Sequence, residues 1–472
     1  MKIKSKLLIA TTACGIAFGA ATPAYAATTD DTTAALLLRL KDKGILTQEE
    51  YDGLMERKKT EVAQTPDWEK ERGSFVKMKE TGVGMQLGPV AVTFAGSVNG
   101  FYTHDSGATP SATTTVAGGL ATVGRSSSSV RNGLLPGFLT IGVTTTQGGW
   151  DVGAHFGMYP GINSNSGVGG ANSGGSPQAL QTSGIDFRQT YMTFGRKGFG
   201  EVKIGRDIGL FGSDAILNDI TLLAVGTAAG NSAPSNTSLG RIGLGYIYTD
   251  FQPQITYTSP KMGGFQVAAG AFQPLNTIGS TEVNKTPGFQ GKLTYDGKFG
   301  GVGLHSWLGG ITQKHDATGL LPAYTGNGVD VGTKLSIGPA ALTGYYYTGK
   351  GIGTIGLFLL STDSLGRPRH SDGYYVQGTV AFNKLTLGAS YGKSSIDLTN
   401  AEEADRARTP LARLGIYNPI LLRSNSSFVG QIRYGLTSWV TLISEYTHTM
   451  SRATGGNRAN SDAVAAGGIL FF

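Results

Sequence analysis

A single cysteine, Cys14, occurs in 472 residues, and charged residues make up 15% of the chain. A soluble enzyme of this length covers itself with about 25% charge, so that class is disfavoured from the start. Beyond the amino terminus there is no run of ~20 apolar residues, which excludes a helical membrane span. The 73 glycines are about twice the ordinary share. They have no period of three, which excludes a collagen-like chain. Aromatic residues at 9% exclude a disordered polar chain. What is present is a long sequence whose apolar residues are dispersed in alternation with polar ones. That is the composition of a large β structure facing lipid on one side and water on the other.

Lys2, Lys4 and Lys6, the apolar stretch Leu7 to Ala21 and the small-x-small triplet Ala24-Tyr25-Ala26 follow the order of a secretory signal peptide, with cleavage expected after Ala26. The alternative, a lipid anchor on Cys14, lacks a leucine three residues earlier, where Thr11 stands. Cleavage removes three lysines, so Lys+Arg falls from 39 to 36 against 32 Asp+Glu and the formal charge from +7 to +4. So modest a charge implies no nucleic-acid partner. Cleavage also removes the thiol, leaving no disulfide, no cysteine metal site and no thiol nucleophile.

Residues 27–65 change to leucine and charge at helical spacing. Leu36, Leu37 and Leu40 share a face, Gly44 can end that helix, and Thr47 with Glu50 forms a capping box opening a second one that carries Leu54. Two such short helices need a partner. They can associate with copies of themselves in a coiled-coil-like bundle, dock on another periplasmic surface, or pack on the base of their own barrel. Residues 66–82, with the run Glu69-Lys70-Glu71-Arg72, read as a linker.

From residue 83 to 472 the period is two. Val90, Val92, Phe94, Val98 and Tyr102 oppose Thr93, Ser97 and Asn99; Leu385, Leu387 and Tyr391 oppose Thr386 and Ser390. Phe428, Ile432 and Tyr434 oppose Gln431 and Arg433, and Val440, Leu442 and Tyr446 oppose Thr441 and Glu445. Short links near 147–149, 196–198, 260–262, 296–298, 338–339, 383–384 and 435–437 alternate with long polar segments around 103–135, 160–184, 207–245, 274–287, 313–327, 351–372, 395–425 and 451–460. Seven turns and eight loops predict an all-β, transmembrane antiparallel barrel of about sixteen strands, its long loops external. Trp150, Trp439, Tyr102, Tyr159, Tyr347, Tyr391 and Tyr446 are placed to form two interfacial girdles, and the last strand closes on Phe472.

The terminal Phe472, the segment Arg188 to Gly195 leading into Gly198 to Asp207, and Tyr257 to Phe265 resemble Gram-negative trimeric porins. The helical opening from Leu36 to Leu54 resembles the appendage of DcaP-type porins. The resemblance implies a sixteen-stranded barrel in the outer membrane, a homotrimer surrounded by outer-membrane lipid, and a third long loop folded inward. By position that loop runs from Asp207 to about Arg241. There is no dense basic ladder of the kind associated with phosphate-selective channels.

A pore selects by its width and by the charges at its narrowest level. The polar strand faces carry Arg188, Lys203, Lys292, Lys334 and Arg433 with Asp186, Glu201, Asp330 and Glu445; the inward loop adds Asp207, Asp214 and Asp219, and Arg241 joins the bases. Loop acids opposite wall bases would set a transverse field favouring polar solutes. The same charges can instead pair off and hold the loop in place. Wall bases outnumber wall acids by one, which leans toward anions.

Gly388-Ala389-Ser390-Tyr391-Gly392 matches a nucleophile elbow but lies inside an alternating strand, and Gly351-Ile352-Gly353-Thr354-Ile355-Gly356 matches a dinucleotide fingerprint with no helix after it. The six histidines show no metal-ligand spacing and read as solvated, and Glu402 to Arg413 reads as a solvated loop. No enzyme activity, cofactor or metal is expected. The expected function is passive diffusion of small hydrophilic solutes or ions through a water-filled channel. The competing function is an envelope anchor tethered through the helical segment. The natural solute is not encoded in any motif.

Overall fold

A computed structural model describes residues 37–41, 46–64, 76–78, 82–162, 185–227, 237–319 and 321–472. They belong to two units, divided between Ala91 and Val92. The expected signal peptide, Leu36, Gly44 and the charge run Glu69 to Arg72 lie outside the described residues.

In the first unit, helix α1 (Gln48–Gln64) begins one residue after Thr47. The Glu50 N–H donates to Thr47 Oγ1 at 3.2 Å and the Thr47 N–H donates to Glu50 Oε2 at 2.9 Å, a reciprocal cap that satisfies two amides a helix start leaves unpaired. Val76–Met78 pairs antiparallel with Val83–Leu87. Residues 66–82 therefore include one arm of a short hairpin, where a plain linker was expected.

The second unit is a closed antiparallel barrel of sixteen strands in chain order. The first eight are β1 (Val90–Ser106), β2 in two pieces (Ser127–Arg131 and Phe138–Gln147), β3 (Trp150–Pro160), β4 (Ile185–Arg196), β5 (Gly200–Ile208), β6 (Phe251–Thr258), β7 (Phe265–Phe272) and β8 (Gly288–Phe299). The rest are β9 (Val302–His315), β10 (Tyr324–Ile337), β11 (Ala340–Lys350), β12 (His370–Phe382), β13 (Leu385–Ile396), β14 (Leu422–Gly435), β15 (Val440–Ala453) and β16 (Arg458–Phe471). Closure joins β16 to β1 from Asp462 opposite Ser106 to Phe471 opposite Ser97. Phe472 extends the seam: its N–H donates to Gly96 O at 3.0 Å, and the Gly96 N–H donates back to Phe472 O at 3.2 Å. Closure leaves no free edge, so each strand's backbone polar groups find partners without water.

The alternation sorts residues as expected. Val98 and Tyr102 are 61% and 51% exposed on the outer face, while Ser97 and Asn99, on either side of Val98, are 1% and 2% exposed on the inner one. Polar inner residues are that deeply covered because loops pack against them.

Some boundaries move. The turn expected at 296–298 lies at Gly300-Gly301, where Gly300 adopts φ 57°. A tight hairpin needs that left-handed conformation, and Asp296 to Phe299 instead continue the pairing with β9. The eighth loop shrinks to 454–457 because β15 and β16 stay paired as far as Arg452 opposite Arg458. Tyr159 and Tyr347 point inward and are buried, one position out of phase with outward neighbours such as Tyr346. The outer girdle on the loop side is instead Tyr102, Tyr346, Tyr374, Tyr391 and Tyr446.

Candidate functional site

The third long loop spans 209–250, between β5 and β6. Its neck is closed by the Gly209 N–H donating to Asp250 O at 3.0 Å. Asp207, expected on this loop, belongs to β5, where it lies opposite Gln252 of β6. Its carboxylate pairs with Lys203 four residues earlier and accepts from Gln189 Nε2 at 2.8 Å.

From the neck the loop runs along the inner wall, held by inward side chains of one strand after another. The Leu210 N–H donates to Gln290 Oε1 on β8 at 2.8 Å. In the short helix α2 (Ser213–Leu217), Asp214 meets Lys292 Nζ at 2.6 Å and His305 Nε2 at 3.3 Å, and Lys292 also donates to Ser213 Oγ at 3.0 Å. Tyr375 Oη on β12 donates to Ala215 O at 2.9 Å, and Gln377 clamps the Asn218 carbonyl and the Ile220 amide at 2.5 and 2.9 Å. On β14, Gln431 and Arg433 both donate to Ile220 O, at 3.1 and 2.7 Å. Glu445 on β15 accepts the Val225 and Gly226 amides at 3.3 and 2.5 Å. Ala224 and Val225 pack on an apolar seat of Phe101, Ile443, Ala465 and Ile469. The break in β2 completes the hold, with the Leu134 and Leu135 amides donating to Ala224 O and Leu222 O at 2.7 and 3.1 Å.

Absent side chains open the track. A Cβ on Gly392 of β13 would lie 2.5 Å from Leu244 O and closer still to Arg241 Nη2, and one on Gly388 would collide with Ile220. The inner wall has glycine where the loop presses closest.

Within this arrangement Asp214 is ion-paired, while Asp219 and Arg241 offset each other through space without a direct ion pair. Burial raises the Asp214 carboxyl, but the Lys292 ammonium and His305 outweigh it and hold the group at about 2. Burial likewise pushes Asp219 up, against Arg241 and the hydroxyls of Thr221 and Tyr246, which donate to it at 2.6 and 2.8 Å. Arg241 is fully buried, and burial lowers it; its Nη2 donates to Leu244 O and Ser427 O, both at 3.3 Å. A carboxyl held low contributes its anchor fully above the ordinary carboxylate range and loses it as pH falls through the folded value. The Asp214 anchor is therefore expected to survive from neutral pH to about pH 4 and fail toward about 2. Single-channel conductance followed over that range checks it; a change complete by pH 5 would show that another group controls the loop.

The remaining wall residues separate by level. Arg188 pairs with Asp186 at 2.6 Å and lies over the Tyr159 ring. Asp330 is buried on β10, where its pairing partners are Gly309 and Tyr347. Glu201 is one residue into β5, at the short-turn end, about 25 Å from the loop neck at a strand rise of about 3.3 Å. It does not belong to the loop's level. Lys334 stands three residues before the end of β10, and no hydrogen bond or ion pair joins it to another described residue. Arg433 donates to the uncharged acceptors Ile220 O and Gln431.

Sequence reasoning missed the wall glutamines, whose signal was only their inward parity, and treated the histidines as solvated. His305 bridges Asp214 and Asp296, and His315 is buried, stacked on Tyr324 at 4.4 Å and bonded to Glu282 at 2.8 Å. Glu402, read as part of a solvated loop, is buried in helix α3 (Asn400–Arg406) and paired with Arg369 at 2.5 Å. Two further loops also fold inward. In loop 107–126 the Leu120 N–H donates to Asn425 and Ser451 on the inner wall at 3.1 and 2.9 Å. In loop 351–369 the Ile355 carbonyl accepts the Tyr248 amide at 2.8 Å, with Ile352, Leu357 and Phe358 buried. Phe358 and Leu360 adopt φ of 64° and 61°, a conformation that bulky residues hold only when their surroundings impose it. The glycine-rich string at 351–356 thus serves this inward fold. Ser390 lies in mid-strand opposite Gln377 and Val429, away from the strand–turn–helix setting a nucleophile elbow needs.

A family model described as Gram-negative porin matches residues 63–412. Among solved structures, the outer membrane channel DcaP of Acinetobacter baumannii is similar at 16% identity, with a TM-score of 0.58 over 84% of this chain and 99% of that one. OmpF of Salmonella typhi is similar at 12% identity, with a TM-score of 0.48 over 81% of this chain and 98% of that one. Among curated proteins no sequence match is found.

Proposed function

The chain belongs to the Gram-negative porin family of outer-membrane channels, and from that premise we propose that its third loop narrows a water-filled pore through which small hydrophilic solutes or ions diffuse passively, in a homotrimer. The observation that carries this reading is the chain of hydrogen bonds from Gln290 to Glu445, which keeps residues 210–226 of the loop against the inner wall. A loop held at many points is a fixed constriction, and a fixed constriction sieves by size without a transport cycle. Purified protein in a planar bilayer should insert in events of three equal conductance steps. Closed bilayers, or single steps of one size, would refute it.

Selectivity follows from which charges remain uncompensated. Asp207 and Asp214 have cationic partners, and Asp219 lies beside Arg241 with two hydroxyls donating to it, whereas Lys334 has no hydrogen-bond or ion-pair partner among the described residues and Arg433 donates only to neutral acceptors among them. The field between loop acid and wall base is spent within the Asp214–Lys292 pair, leaving Lys334 and Arg433 to face Glu201 on the short-turn side of the lumen. A weak anion preference is the result. Lys334→Gln is expected to reduce the anion-to-cation permeability ratio by roughly two- to five-fold, because one wall charge sets a local potential of about one to a few kT. Reversal potentials in a salt gradient measure this, and an unchanged ratio would remove Lys334 from the filter. Neutralising Asp214 and Asp219 should also move the preference; if neither does, the loop does not line the pore.

A further inference from the structure

On the long-loop side, outward Tyr346, Tyr374, Tyr391, Phe428 and Tyr446 mark the level where hydrocarbon gives way to headgroups. Two to six residues further along the same sector, the outward positions become cationic: Lys350 on β11, Lys393 on β13, Arg423 on β14, Arg452 on β15 and Arg458 on β16. At the strand tilt of such barrels this is about 5–15 Å beyond the girdle, the depth of lipid headgroups.

Arg452 and Arg458 are direct cross-strand partners, and both are exposed. Like charges placed opposite each other on a sheet repel, so the pair is unfavourable unless an anion lies between them. Arg452 Nε reaches only Met450 Sδ, at 3.3 Å, and no carboxylate among the described residues pairs with either arginine or with Lys350. The acids of the sector are committed elsewhere. Asp397 is shared by Arg423 and His370, and Asp462 accepts from Tyr446 Oη at 2.6 Å and faces His448 at 2.8 Å. Asp372 offsets part of Lys393. The opposite sector differs: at the same ends of β4 and β8 the outward residues are Ile185, Phe187 and Phe289, and Arg206 is occupied with the Phe251 carbonyl at 2.6 Å.

We propose that the outward rim of β11–β16 is a docking surface for phosphate-bearing lipid headgroups of the outer leaflet, with a phosphate bridging Arg452 and Arg458. Cations just outside an aromatic belt attract anionic headgroups, and a bridging phosphate turns the repulsive pair into two charge-assisted hydrogen bonds. The site is on the lipid face, separate from the pore, so its failure and the failure of the channel reading are distinguishable.

The test uses the purified full chain, with binding of bisphosphorylated lipid A and of its dephosphorylated form read by native mass spectrometry. Bisphosphorylated lipid A should bind wild type, weaken as salt rises, and bind Arg452→Gln/Arg458→Gln roughly thirty-fold less tightly, with conductance unchanged. Arg206→Gln should bind like wild type, and excess inorganic phosphate should not displace the lipid. Equal binding of the dephosphorylated lipid, equal binding by the double variant, or full displacement by inorganic phosphate would each overturn the proposal. If the arginine variant fails to fold, Lys350→Gln/Lys393→Gln gives the same readout: a loss of similar size supports the site and none overturns it.

Discussion

Replacing Lys292 with methionine is expected to lift helix α2 from the wall and raise single-channel conductance at neutral pH. The substitution leaves His305, at 3.3 Å, as the one ion partner of the buried Asp214 carboxylate among the described residues. Removing one member of a buried pair costs about 3–5 kcal/mol, chiefly because the other charge is stranded. The remaining histidine contact places this case toward the lower end. The barrel has no reason to unfold, since its strand pairing does not involve this group, so the strain falls on the loop. Without Lys292, burial dominates and raises the Asp214 carboxyl. Acidification should then neutralise it and reseat the loop, so the variant's conductance falls back as pH drops while wild type stays level. The double variant Lys292→Met/Asp214→Leu should recover most of the wild-type conductance at neutral pH, because it removes the stranded charge with its partner. Identical behaviour of single and double variants would show that the pair does not anchor the loop.

Gly392→Val should displace the loop by a route that involves no charge. Valine suits a strand, and Gly392 has ordinary strand geometry, so the barrel itself tolerates the change. The added Cβ, however, enters the space of Leu244 O at 2.5 Å and of Arg241 Nη2. Overpacking of this kind costs about 1–3 kcal/mol, relieved here by moving the loop and with it the buried Arg241 and Asp219. Higher conductance with unchanged thermal stability of the barrel is the expected outcome. Gly378→Val is the control: its Cβ would point outward and meet nothing closer than Ala341 O at 4.0 Å, so conductance should stay at the wild-type value. If both valines act alike, the effect comes from the strand and not from the loop.

The outer half of this architecture was legible because lipid imposes a simple rule on it. A lipid-facing position must be apolar, so Val98, Tyr102, Leu387, Phe428 and Ile432 announce their side by parity alone, and glycine-rich punctuation gives the connections. The inner half obeys a weaker rule. Facing inward requires only compatibility with water or with a loop, and Ser97, Gln377, Gln431 and Gly392 all meet it without declaring which of the two they contact. For the same reason Asp207 could be assigned to the loop although the β5–β6 pairing extends through Ile208. His305 looked solvated because nothing near it in sequence shows that Asp214, 91 residues earlier, comes to lie beside it.

The sequence by itself determined a closed sixteen-stranded barrel, its alternating connections and the small set of charges placed inward, since strand period and turn chemistry are local and the bilayer is a uniform solvent. The tertiary structure alone decided which of those charges cancel. Whether Asp214 meets Lys292 or water, and whether Lys334 has a partner, depends on how loop 209–250 lies against strands far from it in the chain. Electrostatic energy depends on those distances through space, and residue order carries no record of them.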